Sequence, residues 1–462
     1  MIEQLRPYPE VNGSGLAWLG DVPAHWDVPR NGRLFGPRQE TGFPDLPVLE
    51  VSLRSGVRIR DFENGTRKQE MSDRSKHQRA RGDIAYNMMR MWQGAVGIAP
   101  VDGLASPAYV VARPFAEVDA AYYAYLFRTG AYMREIDIFS RGIVPDRNRL
   151  FWVSFKQISS VYPPHDEQRR IVRFLNWHEA QTAKLICAKK KIIALLNEEK
   201  QAIIHRAVTR GVDLNAKLSP SGIPWLGDVP EGWEVRPILA CYKEKNTKNT
   251  GMSESTVLSF RYGRIIVKSQ EKHRGLVPQS FEAYQIVDPG NIIVRCTDLQ
   301  NDQKTLRVGI AIERGIITSA YMCLQTIGTM SPEFGYQILN NYDSVKIIYG
   351  YGSNLRQNLN FSDIRRMPVP LPPPEEQAAV VSFLHKAADV ATRAIEHMGN
   401  EIALIQEFRT HLIADVVTGK LDVRAVAANL PEVVERVSID DLVDDDDLDV
   451  LIDPADSEEA AA

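Results

Sequence analysis

The amino-acid sequence contains one unit of about 200 residues twice, and this repeat limits the possible folds more than any other feature. Residues 14–28 read SGLAWLGDVPAHWDV and residues 221–235 read SGIPWLGDVPEGWEV, so ten of fifteen positions are identical at an offset of 207. Four shorter matches follow in the same order at offsets of 208 to 212. A period of this length exceeds that of any solenoid repeat. The sequence therefore predicts two copies of one globular unit.

The shorter matches mark positions that both halves share, and these positions define a common framework. Both halves end in adjacent prolines, a Glu-Gln pair and, further on, a Phe-Leu pair. The matched segments are Gly82-Asp83-Ile84 with Gly290-Asn291-Ile292, Val96-Gly97-Ile98-Ala99 with Val308-Gly309-Ile310-Ala311, Ala108-Tyr109 with Ala320-Tyr321, and PPHDEQ at 163–168 with PPPEEQ at 372–377.

Each half begins as a mixed domain. Short β-rich runs, such as residues 257–260, 292–294 and 308–312, are separated by Gly, Pro and Asn. Residues 120–128 and 333–341 have the pattern of short helices. This mixture of predicted strands and helices indicates an α+β domain in each half.

After the proline pair each half becomes helical. Residues 166–209 contain no Pro or Gly, and residues 375–418 are interrupted only by Gly399. Apolar residues recur at steps of three and four, which predicts one buried stripe on each helix. A helix of about 40 residues is roughly 60 Å long. If a two-fold axis relates the halves, the helices run antiparallel and hold the mixed domains at opposite ends of a spacer. The stripe residues are Ile171, Leu175, Leu185, Ile192, Leu196 and Ile203, and Val380, Leu384, Ala391, Ile395, Met398, Ile402, Ile405, Phe408 and Leu412.

The composition indicates a globular protein of the cytoplasm. The N-terminus has no apolar core of the kind that a signal peptide needs, and no apolar run approaches the ~18 residues of a membrane span. The four cysteines form no CxxC pair, so we expect free thiols and no zinc site. Residues 430–462 contain 13 acidic residues and one Arg. Because the whole chain carries −4, residues 1–429 carry +8, which is compatible with a polyanionic partner.

The pattern SGxxWLGDVPxxW at the head of each half, with PPxxEQ leading into a long helix, resembles the specificity subunit of a type I restriction–modification system. The resemblance runs from about Leu16 to Asp422 and includes the duplication itself. Only the acidic tail departs from the family pattern.

The resemblance implies a fold and a set of partners. The fold class is α+β, with two tandem α/β target-recognition domains related by internal duplication and separated by two long antiparallel coiled-coil-like helices. Each domain would recognise one half of a split target in double-stranded DNA. The subunit would have no catalysis and no cofactor of its own. It would recruit two modification (methyltransferase) subunits that methylate adenine with S-adenosylmethionine, and it could recruit ATP- and magnesium-dependent restriction/translocase subunits.

This organisation divides the chain into two domains, two spacer helices and a tail. The first target-recognition domain is placed at residues 1–164 and the first spacer helix at 165–210. The second domain is placed at 211–374 and the second helix at 375–420. Residues 421–462 form an acidic tail that we expect to be disordered, because a run such as DDLVDDDDLD at 440–449 is normally solvated.

Contacts with DNA are expected from Lys and Arg on phosphates, and from Arg, Asn and Gln on base edges. The candidates are clusters that occupy equivalent loops in the two halves. In the first domain they are Arg54, Arg58, Arg60, Arg67, Lys68, Arg74, Lys76, Arg79, Arg90, Gln93, Arg141, Arg147 and Arg149. In the second domain they are Arg261, Arg264, Lys268, Lys272, Arg274, Arg295, Gln300, Asn301, Gln303, Lys304, Asn354, Arg356, Gln357 and Asn358.

The four repeated tryptophans are interpreted as framework, because residues that recognise different half-sites should differ between the copies. They are Trp18, Trp26, Trp225 and Trp233.

Two alternative functions stay open at this point. One is a nuclease, since Asp288, Asp302 and Lys304 have the spacing of a metal-dependent triad. The first half has Ala80 at the position of Asp288, which favours a structural role for that carboxylate. No phosphate-binding GxxxxGK[ST] motif and no Asn/Asp-Pro-Pro-aromatic methyltransferase motif occurs in the sequence. The other alternative is a coiled-coil adaptor without sequence-specific DNA binding, which would explain the helices but not the basic loops.

Overall fold

The structure is a computed structural model that describes residues 5–60, 74–142, 148–261, 263–268, 280–297, 306–351 and 359–431. It divides into two compact units. The first unit is built on Met1–Lys190 and Asn400–Asp445, and the second on Lys191–Gly399. Each unit therefore contains one mixed domain, the start of the helix that follows this domain, and the end of the other long helix.

The mixed domain of the first unit contains ten strands and three helices in the part that the structure describes. The strands are β1 (Val11–Gly13), β2 (Asp21–Pro23), β3 (Phe35–Pro37), β4 (Val48–Ser52), β5 (Gly56–Ile59), β6 (Gln78–Ala80), β7 (Ile84–Asn87), β8 (Val96–Ile98), β9 (Gly103–Ala105) and β10 (Tyr109–Pro114). The helices are α1 (Ala120–Phe127), α2 (Gly130–Phe139) and α3 (Trp152–Phe155), after which the first long helix is α4 (His165–Arg210).

The second half repeats this order with small additions. Its strands are β11 (Leu218–Pro220), β12 (Asp228–Pro230), β13 (Glu234–Pro237), β14 (Tyr242–Glu244), β15 (Thr247–Lys248), β16 (Leu258–Arg261), β17 (Arg264–Val267), β18 (Gln285–Val287), β19 (Ile292–Val294), β20 (Val308–Ile310), β21 (Gly315–Ile317), β22 (Met322–Thr326) and β23 (Pro368–Leu371). Its helices are α5 (Ile238–Cys241), α6 (Pro332–Ser344), α7 (Phe361–Ile364) and the second long helix α8 (Pro374–Val417), and α9 (Arg424–Ala427) follows in the first unit.

The central sheet has the same strand order in both units. It is β3-β10-β7-β8 in the first and β14-β22-β19-β20 in the second, and its neighbouring strands are antiparallel. The buried strands β7 and β19 are short apolar runs that form the middle of each core. The predicted strands near 258, 292 and 308 and the predicted short helices are present. The duplication in sequence is therefore a duplication of fold.

A second layer of strands lies beside each central sheet. In the first unit it is β5-β4-β9-β6, in which β4 and β9 are parallel and the other pairs are antiparallel. In the second unit the hairpin β16-β17 and the sheet β15-β18-β21 take these places, and a parallel bridge joins Val257 to Ile316.

A buried glutamine at the start of α4 attaches this helix to its domain. Gln168 is fully buried, and its side-chain oxygen accepts a hydrogen bond from the backbone N–H of Asp119 at 2.8 Å. The amide group donates to the carbonyls of Pro163 at 2.8 Å and Glu117 at 3.2 Å. The amide thus joins the segment before α1 to the proline pair that precedes the long helix.

Gln377 makes the same contacts at the start of α8. Its oxygen accepts from the backbone N–H of Ser331 at 2.8 Å, and its amide donates to the carbonyls of Pro372 at 2.9 Å and Thr329 at 3.0 Å. The glutamine of the PPxxEQ motif therefore has a structural role in both halves.

The glutamate of the motif is also bonded to the mixed domain. Glu167 accepts from the Tyr8 hydroxyl at 2.5 Å and lies 2.8 Å from Nε2 of His25. Burial, together with the hydrogen bond to this carboxylate, raises the pKa of Tyr8. In the second unit, Glu376 accepts from Nε1 of Trp233 at 2.7 Å.

Within each unit the two long helices run antiparallel. In the first unit, Nζ of Lys189 lies 2.8 Å from Oε2 of Glu401, and Arg409 donates to Glu179 at 2.5 Å. In the second unit, Nζ of Lys200 lies 3.5 Å from Oγ1 of Thr392. As the residue number rises on α4 it falls on α8, as expected for an antiparallel pair.

The predicted stripe on α4 is wrong at Leu185 and Ile192, which are 48% and 41% exposed. The neighbouring residues Ile186 and Ile193 are fully buried instead. Both pairs consist of adjacent apolar residues, so periodicity could not decide which member faces the core. On α8, Phe408 is 45% exposed although it was assigned to the stripe.

Two further expectations can be compared with the described residues. Cys187, Cys241, Cys296 and Cys323 are all free thiols, as predicted. Within the described ranges, no helix is long and apolar enough to cross a membrane.

The buried side chain of Gln377 gives a testable prediction. Replacing Gln377 by Ala leaves one buried N–H and two carbonyls without their partner, which should cost about 3 kcal/mol. For a unit of this size, that corresponds to a fall of roughly 6–12 °C in melting temperature. The control is Gln406→Ala on the exposed side of α8, for which we expect a change within ~0.5 kcal/mol. Equal melting temperatures for the two variants, measured by circular dichroism, would contradict the role assigned to Gln377.

Candidate nucleic-acid interface

In each half, two loops that carry candidate DNA contacts are held together by one backbone hydrogen bond. In the first half, the N–H of Leu150 donates to the carbonyl of Met88 at 2.8 Å. In the second half, the N–H of Leu359 donates to the carbonyl of Cys296 at 3.0 Å. These positions correspond at offsets of 209 and 208. We call the described segments around these bonds the paired loops. They are residues 88–95 with 141–142 and 148–150 in the first half, and residues 295–297 and 306–307 with 351 and 359 in the second.

Three arginines are exposed in the described part of the paired loops of the first half. Arg90, Arg141 and Arg149 are all exposed, and their side chains form no ion pair with any described residue. Arg141 and Arg149 face each other across a two-residue antiparallel bridge at the base of their loop. Gln93 is exposed at the end of a 3-10 turn, Met91–Gln93. The structure therefore brings four of the predicted contacts onto the paired loops.

A second group lies on the hairpin β4-β5. Arg54 is exposed in the turn, whose carbonyls at Leu53 and Arg54 accept hydrogen bonds from Arg128. Arg58 is exposed on β5 and donates to Glu50 at 2.5 Å, and Arg60 is half-buried at the end of the strand. An exposed pair such as Arg58 with Glu50 contributes little to stability, so its guanidinium stays accessible to another anion.

Close packing against a glycine positions this hairpin. A Cβ atom at Gly97 on β8 would lie 2.6 Å from the backbone nitrogen of Val57. At the equivalent Gly309, it would lie 3.1 Å from the carbonyl oxygen of Gly263. At Gly97 only glycine allows the hairpin to approach the central sheet in this way, and at Gly309 a Cβ would require its neighbours to shift.

The third group of the first domain is on and before β6. Arg74 and Lys76 are exposed in a 3-10 turn. Arg79 makes a two-point contact with Asp102, at 2.8 and 2.6 Å, and its guanidinium lies 4.7 Å from the ring centre of Phe43. The hydrogen bond from Arg79 lowers the pKa of Asp102. Arg79 is therefore already engaged within the domain, which sets it apart from the arginines on the paired loops.

In the second half, the hairpin β16-β17 places Arg261 opposite Arg264 across its turn. Arg264 and Lys268 are exposed, and Arg295 is half-buried with its N–H bonded to the carbonyl of Arg307 at 2.8 Å. These positions correspond to the hairpin and paired loops of the first half.

Arg307 anchors the paired loops of the second half and was not identified from the sequence. It is 1% exposed and donates to the hydroxyl of Tyr349 at 2.9 Å and to the carbonyl of Thr297 at 2.6 Å. Its backbone N–H donates to Asp343, whose pKa is raised by burial. The first half has Ala95 at this position, so comparison of the two halves could not identify Arg307 as an anchor of the loops.

The remaining candidates lie outside the described residues and stay predictions. They are Arg67, Lys68, Arg147, Lys272, Arg274, Gln300, Asn301, Gln303, Lys304, Asn354, Arg356, Gln357 and Asn358. The acidic tail beyond residue 431 also lies outside the described part.

A buried ion pair supports the turn that leads into the central strand of the first half. Asp83 is 1% exposed and receives hydrogen bonds from Arg38 at 2.6 and 3.1 Å. It also accepts from the N–H of Arg81 at 2.9 Å. The matched Gly-Asp-Ile segment identified Asp83 as framework, but nothing in the sequence indicated Arg38 as its partner.

The second half builds the same feature from different residues. Lys245 takes the position of Arg38, and its Nζ contacts Asp288 at 2.5 Å and Asn291 at 3.0 Å. Arg314 also donates to Asp288 at 2.5 Å. The hydrogen bond from Lys245 lowers the pKa of this carboxylate.

These contacts bear on the possible nuclease triad. Asp288 is bonded to two cations, whereas Asp302 and Lys304 lie outside the described residues. Among the residues that the structure describes, no group of three or more His, Cys, Asp or Glu side chains could hold a metal ion.

The repeated tryptophans pack into the domains. Trp18 meets Tyr132 edge to face at 5.2 Å, and Trp225 meets Tyr342 in the same way at 4.9 Å. Trp26 is 5% exposed. This packing agrees with a framework role.

The chain is similar to known proteins along most of its length. No protein-family model matches it. The putative type I restriction enzyme MjaX specificity subunit of Methanocaldococcus jannaschii is 21% identical over 448 residues, which cover 92% of this chain and 100% of the relative.

Solved structures show similar coverage. One, described as the structural basis of complex assembly and conformational transition of the type I R-M system, matches 86% of this chain and 98% of its own, with a TM-score of 0.61 and 14% identity. The HsdS subunit from Thermoanaerobacter tengcongensis matches the same shares at 14% identity with a TM-score of 0.46. The predicted resemblance to type I specificity subunits is confirmed. The predicted fold class is confirmed as well.

The buried ion pair of the first half gives a testable prediction. Replacing Asp83 by Asn, the residue of the second half, leaves the Arg38 guanidinium with only the exposed Glu40 as its charged partner. The lost charge-assisted hydrogen bonds should cost about 2 kcal/mol. The control is Glu50→Gln, which removes the exposed partner of Arg58 and should cost less than ~1 kcal/mol. Urea denaturation of both variants measures the difference. A cost for Asp83→Asn no larger than that of the control would show that the pair does not support the turn.

Proposed function

We propose that the chain is the DNA-specificity subunit of a type I restriction–modification complex, in which each mixed domain recognises one half of an asymmetric, bipartite target. The observation that carries the proposal is the shared backbone hydrogen bond that joins the paired loops in both halves. It places loops of different sequence on the same framework. A framework shared by two different sets of loops is what two different half-sites require.

The chemistry of the loops supports contact with DNA. Exposed arginines can bind phosphates or the guanine edge, and asparagine and glutamine can pair with adenine. The first half offers mostly Arg on the paired loops, whereas the second half combines Arg with Asn and Gln. The two half-sites should therefore differ in sequence.

The proposal includes partners and a location. The subunit works in the cytoplasm, where it positions two modification subunits, and in a full system restriction/translocase subunits, on the bound DNA. S-adenosylmethionine, ATP and magnesium belong to those subunits, and this chain supplies no catalytic group. The similarity to specificity subunits along nearly the whole chain supports this division of labour.

The two alternative functions have less support. A nuclease would need Asp288 free to bind a metal ion, but both of its oxygens are bonded to Lys245 and Arg314. Magnesium-dependent DNA cleavage by the purified subunit would revive this alternative. An adaptor without DNA binding would leave the arginines of the paired loops without a function.

Salt dependence tests the DNA contacts. Replacing Arg149 by Ala should weaken binding to all sequences and lower the slope of log K against log salt by about 0.9 if the side chain binds one phosphate. The control is Arg170→Ala, an exposed arginine on the long helix rather than on the paired loops. Gel shifts at several salt concentrations give both slopes. An unchanged slope and affinity for Arg149→Ala would remove this residue from the interface.

The form of the target tests the two-domain assignment. Sequencing methylated adenines in cells that carry the full system should show two different half-sites separated by a fixed gap. Exchanging residues 211–374 for the corresponding domain of another such subunit should change one half-site only. A palindromic or continuous target would contradict the proposal.

A further inference from the structure

Three large apolar side chains are exposed around the paired loops of the first half. Met89 is 43% exposed, Phe151 46% and Ile138 75%. Met89 and Phe151 directly follow Met88 and Leu150, the two residues joined by the backbone hydrogen bond. Single exposed apolar residues are common on protein surfaces. Three at one functional loop pair need an explanation in terms of what binds there.

Hydrogen bonds within the domain fix the backbone segments that carry these side chains. The side-chain amide of Asn148 donates to Asp137 at 3.1 Å, which ties the second loop to the end of α2 beside Ile138. The indole Nε1 of Trp92 donates to the carbonyl of Met89 at 2.9 Å, which fixes the first loop. The segments next to Met89 and Ile138 are therefore tied to the rest of the domain.

The charges around them indicate the type of partner. Arg90, Arg141 and Arg149 are exposed on the same loops and form no ion pair with a described residue. An apolar protein surface would leave these guanidinium groups without partners. The DNA major groove offers both kinds of contact, because phosphates line it and each thymine exposes a 5-methyl group inside it.

We propose that Met89 and Phe151 are specificity-determining residues of the first domain, which contact thymine 5-methyl groups in its half-site. The inference rests on the proposed function and adds a non-polar element to its base recognition. The equivalent positions of the second half are Thr297 and Asn360, at offsets of 208 and 209. The second domain therefore has polar groups where the first has apolar ones, and this methyl contact is specific to one half-site.

The test uses target DNA in which deoxyuridine replaces thymidine, because this removes the methyl group and leaves base pairing unchanged. Three duplexes are compared: the natural target, and targets with deoxyuridine in one or the other half-site. The wild-type subunit, assembled with its modification subunits, should bind the duplex with deoxyuridine in one of the half-sites more weakly than the natural target. The affinity should fall about fourfold for each contacted thymine, as expected for one methyl group no longer buried.

The matching variant carries Met89→Thr and Phe151→Asn, the residues of the second half. For this variant, deoxyuridine in the sensitive half-site should have no effect, while the response of the other half-site is unchanged. Phe151 is the N-cap residue of α3, and Asn is favoured at N-caps, so Phe151→Asn alone provides a second variant that should fold normally. The control is Val11→Thr, a 49% exposed residue on β1, which should behave as wild type.

The possible results separate the inference from the function beneath it. If the wild type shows no preference for its target over random DNA, the proposed function fails. If binding is specific but the variant keeps the full deoxyuridine effect, the inference is overturned while the function stands. A variant that weakens thymidine and deoxyuridine targets equally would also overturn it, since the side chains would then act as a wedge between bases rather than as a methyl contact.

Discussion

The buried amide at the start of each long helix determines how the rest of each domain is arranged. Gln168 and Gln377 each use both ends of the side chain, accepting one backbone N–H and donating to two carbonyls. An amide in this position cannot be replaced by an apolar residue without leaving three buried backbone groups unpaired. The adjacent prolines before it fix where the helix begins, and in the second half they directly follow β23. A recognition domain attached in this way has one orientation on its own helix.

The same arrangement separates the parts that must stay constant from the parts that can change. Backbone hydrogen bonds join the paired loops, so these bonds do not depend on which side chains the loops carry. Gly97 and Gly309 serve the hairpins similarly, because the close approach requires the absence of a Cβ rather than a particular neighbour. Side chains on the loops can therefore differ between the halves without disturbing the domains that hold them. This explains how two copies of one unit can present different chemistry to DNA.

Most of the architecture could be predicted from the repeat, because matching positions in two copies reveal a framework without any alignment of relatives. The start of each long helix followed from the prolines and the absence of Gly and Pro beyond them. The choice between Leu185 and Ile186 could not be predicted, since both are apolar and only the packing partner decides which one is buried. In the candidate interface, composition identified the basic loops. It could not distinguish Arg79, which is bonded to Asp102, from Arg149, whose side chain forms no ion pair with a described residue. It also missed Met89 and Phe151, because a search for charged residues passes over apolar ones. Arg307 was missed because burial of an arginine depends on contacts that are distant in sequence.

Comparison of the halves also explains the carboxylate that resembles part of a nuclease site. The first half has Ala80 and Asp83, and the second half has Asp288 and Asn291 at the corresponding positions. In each half one carboxylate near this turn meets a cation on the neighbouring strand segment, Arg38 in one and Lys245 in the other. Asp288 therefore lies three positions before the residue that corresponds to Asp83, whereas Lys245 occupies the position of Arg38. A buried or half-buried cation needs an acceptor close by, and either position can supply it. Asp288 is therefore accounted for by the same requirement that places Asp83 in the first half, and its presence needs no catalytic explanation.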